Sequence, residues 1–211
     1  MQILTIPGVF ASYIPEPEIL KTITLQSPEF SAIDTYISSI NPSLNFANSN
    51  NLIMGKDSVG AKYRILIKPT DLNLIPGGAR LETAEIRLKC NLANNGAYTV
   101  HEILNSWVEN VSWSGQPSYN STPIETLNIS GGVNNWYTID IYDLVKDWLI
   151  GKSNYGILIK AQNENIDNNI SFYSSNYSNS SFRPIYYYQY TIRNKRKSLF
   201  VKESFKGRIF I

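Results

Sequence analysis

The sequence has one cysteine, Cys90, and one histidine, His101, among its 211 residues. A single cysteine excludes an internal disulfide and any metal site built from paired cysteines. The motifs GxSxG, HExxH and GxxxxGK[S/T] do not occur, which removes the common signatures of several hydrolases, zinc proteases and P-loop proteins. A Ser-His-Asp triad is still compatible with the composition, but His101 lies in AYTVHEIL between apolar neighbours, as structural strand histidines do. From these patterns we predict no catalytic residues and no cofactor.

The sequence also lacks a long hydrophobic run. No apolar stretch approaches the roughly 18 to 20 residues that a membrane-spanning helix needs, so we predict no membrane span. The first residues, MQILTIPGVFASYIPEPE, have no Lys or Arg before their apolar stretch, and Pro7 and Gly8 interrupt it. This pattern is not typical of a signal peptide. We therefore expect no signal peptide for general secretion.

The net charge of the chain is small, but its two ends carry net charges of opposite sign. The formal net charge is +2, whereas residues 191–211 sum to +6 and residues 1–33 sum to −2. A basic end alone would suggest nucleic acid or another polyanion as a partner. This end is too apolar and too strand-like for a disordered basic arm, so nucleic acid is the least favoured partner.

What the sequence does contain is a series of short apolar stretches separated by turn residues. Asn-Pro, Pro-Gly-Gly, Asn-Asn-Gly and Gly-Gly punctuate the chain, and such combinations mark turns. Strands are predicted at 32–39, 51–55, 61–69, 79–92, 97–103, 135–141, 155–162, 170–175 and 183–192, with a further candidate at 18–27. Many short strands at this spacing predict an all-β fold, a jelly-roll-like sandwich.

One stretch, DIYDLVKDWLIG (140–151), has a helical period instead. The apolar residues that recur at the spacing of one helix face are Ile141, Leu144, Val145 and Trp148. Asp140 is a suitable N-cap, and Gly151 suits the position just after the helix. We predict one short helix that caps an end of the sandwich.

Both ends of the chain contain apolar residues that need a surface to pack on. The C-terminal stretch SLFVKESFKGRIFI alternates like a half-buried strand, with Leu199, Val201, Phe205, Ile209 and Ile211 as its apolar positions. The N-terminal stretch contains Ile3, Ile6, Val9, Phe10 and Tyr13. We therefore divide the chain into an N-terminal arm (1–31), a β-sandwich domain (32–190) and a basic C-terminal strand or tail (191–211). The arms either fold back on their own domain or add a strand to a neighbouring subunit.

Several short motifs follow one another in order between residues 34 and 190. They are DTYISS, NPSLNF and NLIMG within 34–55, YRILIKPTDLNLIPGGARLETAEIRL (63–88), WVENVSWSGQPSY (107–119), WYTIDIYDLVKDWLIG (136–151), NYGILIK (154–160), FYSS (172–175) and RPIYYYQY (183–190). In order and spacing this series resembles the DNRLRE-type domain, which is classed with carbohydrate-binding modules. The resemblance covers about residues 32–190; it departs from the family after Lys68, where Pro69 and Thr70 precede Asp71 instead of the usual Lys-Phe-Asp. It implies a non-enzymatic jelly-roll sandwich of bacterial or archaeal surface and extracellular proteins.

Candidate sugar contacts lie in the last quarter of the chain. Tyr173 and Tyr177 belong to the polar, tyrosine-bearing stretch 162–182. Tyr187 lies on a strand whose alternate tyrosines, Tyr186, Tyr188 and Tyr190, must face the other way, so only one set can touch a ligand. A solvated loop and an ordinary strand face are the alternatives for these positions.

Other residues that could carry chemistry have a stronger structural explanation. Tryptophan rings can stack on sugars, but the positions of Trp107, Trp113, Trp136 and Trp148 beside strands and the helix favour packing roles. Arg64 and Arg183 are expected to pair with carboxylates or carbonyls. Asp34, Asp71 and Asp143 could help to hold a structural calcium ion, but no DxDxDG loop supports one, so no metal site is predicted.

These observations favour a self-assembling structural subunit. We expect a homo-oligomer or polymer that adds strands through its arms and forms a surface appendage, filament or particle of a spore, cell or phage. The alternative is a carbohydrate-binding or adhesion module that recognises a polysaccharide.

Overall fold

The computed structural model describes residues 17–28 and 33–193. Its strands are β1 (Glu18–Gln26), β2 (Ile33–Ser38), β3 (Asn51–Lys56), β4 (Lys62–Lys68), β5 (Arg80–Leu92), β6 (Gly96–Glu102), β7 (Glu125–Ile129), β8 (Trp136–Asp140), β9 (Ile157–Ala161), β10 (Ile170–Tyr173) and β11 (Ile185–Arg193). The helix α1 spans Tyr142–Leu149, and short 3-10 turns span Leu72–Leu74 and Ser180–Phe182. The prediction of an all-β fold with one short helix is confirmed.

The strands form one curled antiparallel sheet. Their hydrogen-bonded order is β1-β11-β5-β10-β3-β4-β9-β6-β7, with β8 paired to β5 and β2 paired to β4. Two halves of the sheet face each other across one core. The first half consists of β1, β11, β5 and β8, and the second consists of β2, β4, β9, β6 and β7. Tyr186 and Ile86 from the first half and Ile65 and Ile159 from the second belong to the same buried cluster.

The alternation of β11 decides which tyrosines enter this core. Tyr186, Tyr188 and Tyr190 are buried, and they lie opposite Ile86, Ala84 and Leu81 of β5. Residues opposite each other in an antiparallel pair point to the same side of the sheet. The other side of β5 and β11 is therefore turned outward.

Strand β7 was missed by the sequence analysis. Its sequence, ETLNI, buries Leu127 and Ile129, and among the strands that the structure describes it pairs with β6 alone. Five residues with two inward side chains give only a weak alternation of apolar and polar residues. The surrounding Ser, Thr and Asn residues are typical of a loop.

The helix α1 forms largely as predicted, with one correction at its start. Leu144, Val145 and Trp148 are buried, and Gly151 after the helix has a positive φ of 110°. The N-cap position is Ile141 and not Asp140, because Asp140 is still paired in β8. Its Oδ1 atom nevertheless accepts a hydrogen bond from the Tyr142 backbone N–H at 2.8 Å, so it satisfies one of the free donors at the helix start.

A second apolar cluster covers the outer side of the second half of the sheet. Ile37, Leu66 and Leu158 point away from the main core and pack against Ile103 and Val111. The segment that contains the last two residues, about 103–124, thus lies over β2, β4 and β9. Within the described residues, the outer side of β5, β8 and β11 has no comparable cover.

Candidate functional site: the aromatic face

The uncovered outer side of β5, β8 and β11 presents charged and aromatic side chains. Strand β5 alternates buried Ile86, Leu88 and Cys90 with Arg87 and Lys89 on the outer side. The register places the remaining partners: Lys89 lies opposite Trp136 of β8, Glu85 opposite Tyr187 of β11, and Arg87 opposite Ile185. The sheet therefore brings residues from distant parts of the sequence onto one surface.

Three further rings extend this surface beyond the strands. Tyr173, at the end of β10, has its ring centroid 4.2 Å from that of Tyr177 and 5.1 Å from that of Phe182. Tyr177 and Phe182 are nearly parallel, with an angle of 3° between their planes and 6.1 Å between centroids. All three rings are half-buried, so they are held in place while part of each ring stays accessible.

One cation, Lys89, joins these rings to the sheet, and a second, Arg87, makes a similar contact within the sheet. The Lys89 Nζ atom lies 3.6 Å from the Phe182 ring centroid and 5.7 Å from that of Trp136. The Arg87 guanidinium lies 4.4 Å from the Tyr187 ring centroid, and its Nη2 atom donates to Glu85 Oε2 at 2.6 Å. Such cation–π contacts orient both partners. We call the surface made by Arg87, Lys89, Trp136, Tyr173, Tyr177, Phe182 and Tyr187 the aromatic face.

The aromatic face contains all three tyrosines that the sequence analysis named as glycan contacts. It also contains Trp136, which was expected to pack and is instead 38% exposed. Phe182 and Lys89 were not foreseen at all. The outward alternation of Lys89 is visible in the sequence, but its proximity to Phe182 depends on tertiary structure.

The loop that presents Tyr177 is anchored by a buried carboxylate. Asp34 on β2 is 1% exposed and accepts hydrogen bonds from the Ser175 backbone N–H at 3.0 Å and from the Ser175 hydroxyl at 2.9 Å. Arg183 donates from Nε to the Tyr177 carbonyl at 2.6 Å, which agrees with its predicted structural role. The backbone around Tyr177 is therefore fixed from two sides.

Burial gives Asp34 an unusual pKa. Desolvation, with a smaller contribution from the nearby Glu109 carboxylate, raises the pKa from 3.8 to about 6 in spite of the hydrogen bonds from Ser175. The folded protein thus binds this proton more tightly than the unfolded chain does. The ionised form makes the fold less stable, and this cost appears as the pH rises from about 4 to above 6.

We expect Asp34→Asn to become more stabilising, relative to wild type, as the pH rises. The difference between 3.8 and about 6 corresponds to a change of up to about 3 kcal/mol in the relative free energy of unfolding. Denaturant unfolding of both proteins at pH 4, 5, 6 and 7.5 measures it. A difference in the free energy of unfolding between Asp34→Asn and wild type that is the same at all four pH values would contradict the prediction.

The outer side of β2, β4 and β9, unlike the aromatic face, is covered by packed side chains. Arg64 donates from Nε and Nη2 to the two carboxylate oxygens of Glu164, both at 2.8 Å, and from Nη1 to Gln116 at 2.7 Å. Its guanidinium lies 4.6 Å from the Trp113 ring centroid. Burial alone would raise the pKa of Glu164, but the hydrogen bonds and charge of Arg64 lower it below its ordinary value. As predicted, Arg64 pairs with a carboxylate.

The remaining residues singled out in the sequence have structural roles here. The His101 Nδ1 atom lies 2.8 Å from the Asn120 carbonyl and its Nε2 atom 2.9 Å from the Thr99 hydroxyl, so both ring nitrogens are occupied, and burial lowers its pKa. Trp107 donates to the Tyr155 carbonyl at 2.7 Å, and Trp148 is part of the main core. These placements agree with the packing roles expected for them.

Other predictions concern residues that the structure does not describe or groupings it does not show. All of the predicted assembly residues lie outside the residues that the structure describes. They are Leu199, Val201, Phe205, Ile209 and Ile211 near the C-terminus and Ile3, Ile6, Val9, Phe10 and Tyr13 near the N-terminus. Between 17 and 28 and between 33 and 193, no group of three or more His, Cys, Asp or Glu side chains could hold a metal ion, so Asp34, Asp71 and Asp143 do not form one site. No helix in the same ranges is long and apolar enough to cross a membrane.

Comparison with known families finds a match to a family of binding modules. A family model, that of carbohydrate-binding module family 96, matches residues 26–185. The chain belongs to carbohydrate-binding module family 96. A carbohydrate-binding module is a non-catalytic binding unit, which agrees with the predicted absence of enzymatic activity and, at this coarser level, with the resemblance noted in the sequence. A search of curated proteins finds no match.

The family 96 match contains nearly all of the aromatic face. It runs from Gln26, the last residue of β1, to Ile185, the first residue of β11. Tyr187 lies two residues beyond it, and the other six residues of the aromatic face lie within it.

Proposed function

We propose that this family 96 module binds a polysaccharide on its aromatic face. The observation that carries the proposal is the set of partly exposed rings, with Lys89 against Phe182 and Arg87 against Tyr187, on the sheet surface that the 103–124 segment leaves open. The apolar side of a sugar ring can pack on an aromatic face, while its hydroxyl or carboxyl oxygens need hydrogen-bond donors beside it. Lys89 and Arg87 provide such donors within contact distance of Phe182 and Tyr187.

An open sheet surface with several partly exposed rings suits an extended chain better than a small isolated sugar. A small ligand is usually enclosed in a concave pocket, whereas the aromatic face is an outer sheet surface. The protein would therefore act where polysaccharides are found, outside the cell or on a particle or cell surface. The resemblance to DNRLRE-type domains supports the same location and a role in adhesion.

Affinity gel electrophoresis of the full chain tests the proposal. Native gels containing neutral polysaccharides in one series and acidic polysaccharides in another should retard the protein in at least one series, relative to a non-binding reference protein. Retardation should increase with polysaccharide concentration and yield a dissociation constant. Unchanged mobility in every gel would overturn the proposal.

Self-assembly through the terminal arms stays a separate prediction. Electron microscopy and size-exclusion chromatography of the full chain, beside versions lacking 1–16 or 194–211, test it without removing a described strand. Filaments that disappear on truncation would favour a structural subunit of an appendage or particle; the family match favours the binding module.

A further inference from the structure

Strand β1 is an edge strand that has only one of the usual protections against pairing, an inward-pointing lysine. It has nine residues and no proline, and it pairs with β11 from Glu18 opposite Arg193 to Gln26 opposite Ile185 without a bulge. Its other edge has no strand partner among the residues that the structure describes. Natural edge strands are usually short, bulged, proline-containing or guarded by charge. β1 instead exposes Leu20, which is 56% accessible, and Ile19, which is 36% accessible.

We propose that a second copy of the chain pairs with this edge, antiparallel, across a two-fold axis at Thr22. The two curled sheets would then be joined through their β1 strands. The contact is the same surface on both subunits, as in most two-fold dimers. This pairing uses β1, which lies within the N-terminal arm as divided from the sequence, and not residues 1–16 or 194–211; it does not depend on polysaccharide binding.

The sequence of β1 is complementary to itself in this register. The pairs across the axis are Glu18 with Gln26, Ile19 with Leu25, Leu20 with Thr24, Lys21 with Ile23, and Thr22 with Thr22. All nine residues find a partner and no two like charges face each other. In this register the outward-facing residues of one β1 strand lie opposite the outward-facing residues of the other. The outer side of one sheet therefore continues into the outer side of the other.

Lys21 selects this register over its nearest competitor. Lys21 points to the inner side of the sheet, opposite Tyr190, and inward lysines are a known guard against unwanted pairing. An axis shifted by one residue to Lys21 would place two lysines directly opposite each other, which is destabilising. An axis at Ile23 would leave Glu18 and Ile19 without partners in the strand. Lys21 thus excludes one wrong pairing and leaves the proposed one open.

Cysteine cross-linking of the full chain tests the register directly. Directly opposite residues in an antiparallel pair have Cα atoms roughly 4.5 to 5.5 Å apart, which is within the range of a disulfide. Thr22→Cys should therefore give a covalent dimer under mild oxidation. The protein's own Cys90 is 0% exposed and gives a clean background. Leu20→Cys alone should not cross-link, but a mixture of Leu20→Cys and Thr24→Cys should.

Sedimentation of the unmodified full chain provides the second measurement. We expect a monomer–dimer equilibrium, and Thr22→Lys should raise the dimer dissociation constant about fivefold, because two ammonium groups then meet at the axis. Thr126→Lys, the same change on exposed strand β7, is the control and should leave the dimer unchanged. A chain that is monomeric at all concentrations, as it would be if its own ends covered β1, or cross-linking that is equal at positions 20 and 22, would overturn the proposal.

Discussion

Phe182→Ala is expected to lower the affinity for polysaccharide by about 30-fold, or about 2 kcal/mol, the size typical of a central aromatic contact. Phe182 lies at the middle of the aromatic face. Its ring contacts Tyr173 and Tyr177, and Lys89 lies over it at 3.6 Å. Removing this ring deletes a stacking surface and also leaves its neighbours and the lysine without their support. Affinity electrophoresis or calorimetry with the polysaccharide found above measures the loss.

Two further variants separate binding from folding. Trp136→Ala removes a ring that is already 38% exposed, so affinity should fall while the melting temperature stays close to that of wild type. Tyr142→Ala is the matched control, because Tyr142 also has a lysine, Lys146, over its ring at 6.0 Å but is not part of the aromatic face. Full affinity in both Phe182→Ala and Trp136→Ala would place the binding surface elsewhere.

Arg64→Ala should be among the most destabilising single changes in the chain. Arg64 and Glu164 have side chains only 13% and 14% exposed, so the substitution leaves a carboxylate buried without its cation. Breaking such a pair costs about 3–5 kcal/mol, which corresponds to a fall of roughly 10 °C in melting temperature for a domain of this size. The change also removes the contacts that Arg64 makes with Gln116 and Trp113 in the covering segment.

The control for this prediction is an ion pair in water. Arg80 and Glu18 are 65% and 43% exposed, so Arg80→Ala should change the free energy of unfolding by no more than about 1 kcal/mol. The double variant Arg64→Met with Glu164→Leu should recover most of the loss, because well-packed apolar side chains often replace a buried ion pair without cost. Equal effects of Arg64→Ala and Arg80→Ala in thermal unfolding would contradict the prediction.

The fold could be predicted from local pattern because most strands have strong local signals. In β5 the apolar residues alternate with polar ones over most of its length, and β11 alternates so clearly that its two faces could be separated in advance. The sequence analysis did not predict β7 because a strand of five residues with two buried side chains gives too short an alternation to recognise. The cap of α1 was misplaced because pairing in β8 holds Asp140 in the strand, and this competition does not appear in the local sequence.

The aromatic face could be predicted only in part, because its residues are brought together by strand register. Tyr173, Tyr177 and Tyr187 were named from residue type and loop character. Lys89 and Trp136 are 47 positions apart in the sequence, and only the pairing of β5 with β8 makes them neighbours. The Arg64–Glu164 pair joins positions 100 residues apart and has no local signal in either segment.

The pairing of Glu18 with Arg193 has a mechanical consequence. The first and last strands described, β1 and β11, are neighbours, and Glu18 at the start of β1 lies opposite Arg193 at the end of β11. A force applied through both ends would load this terminal residue pair first and would peel β1 from β11 one hydrogen bond after another. Such an unzipping geometry resists far less force than a geometry in which all the hydrogen bonds of the ladder share the load at once. A tethered copy of this module would therefore release its first strand, and with it the β1 edge, before its core is disturbed.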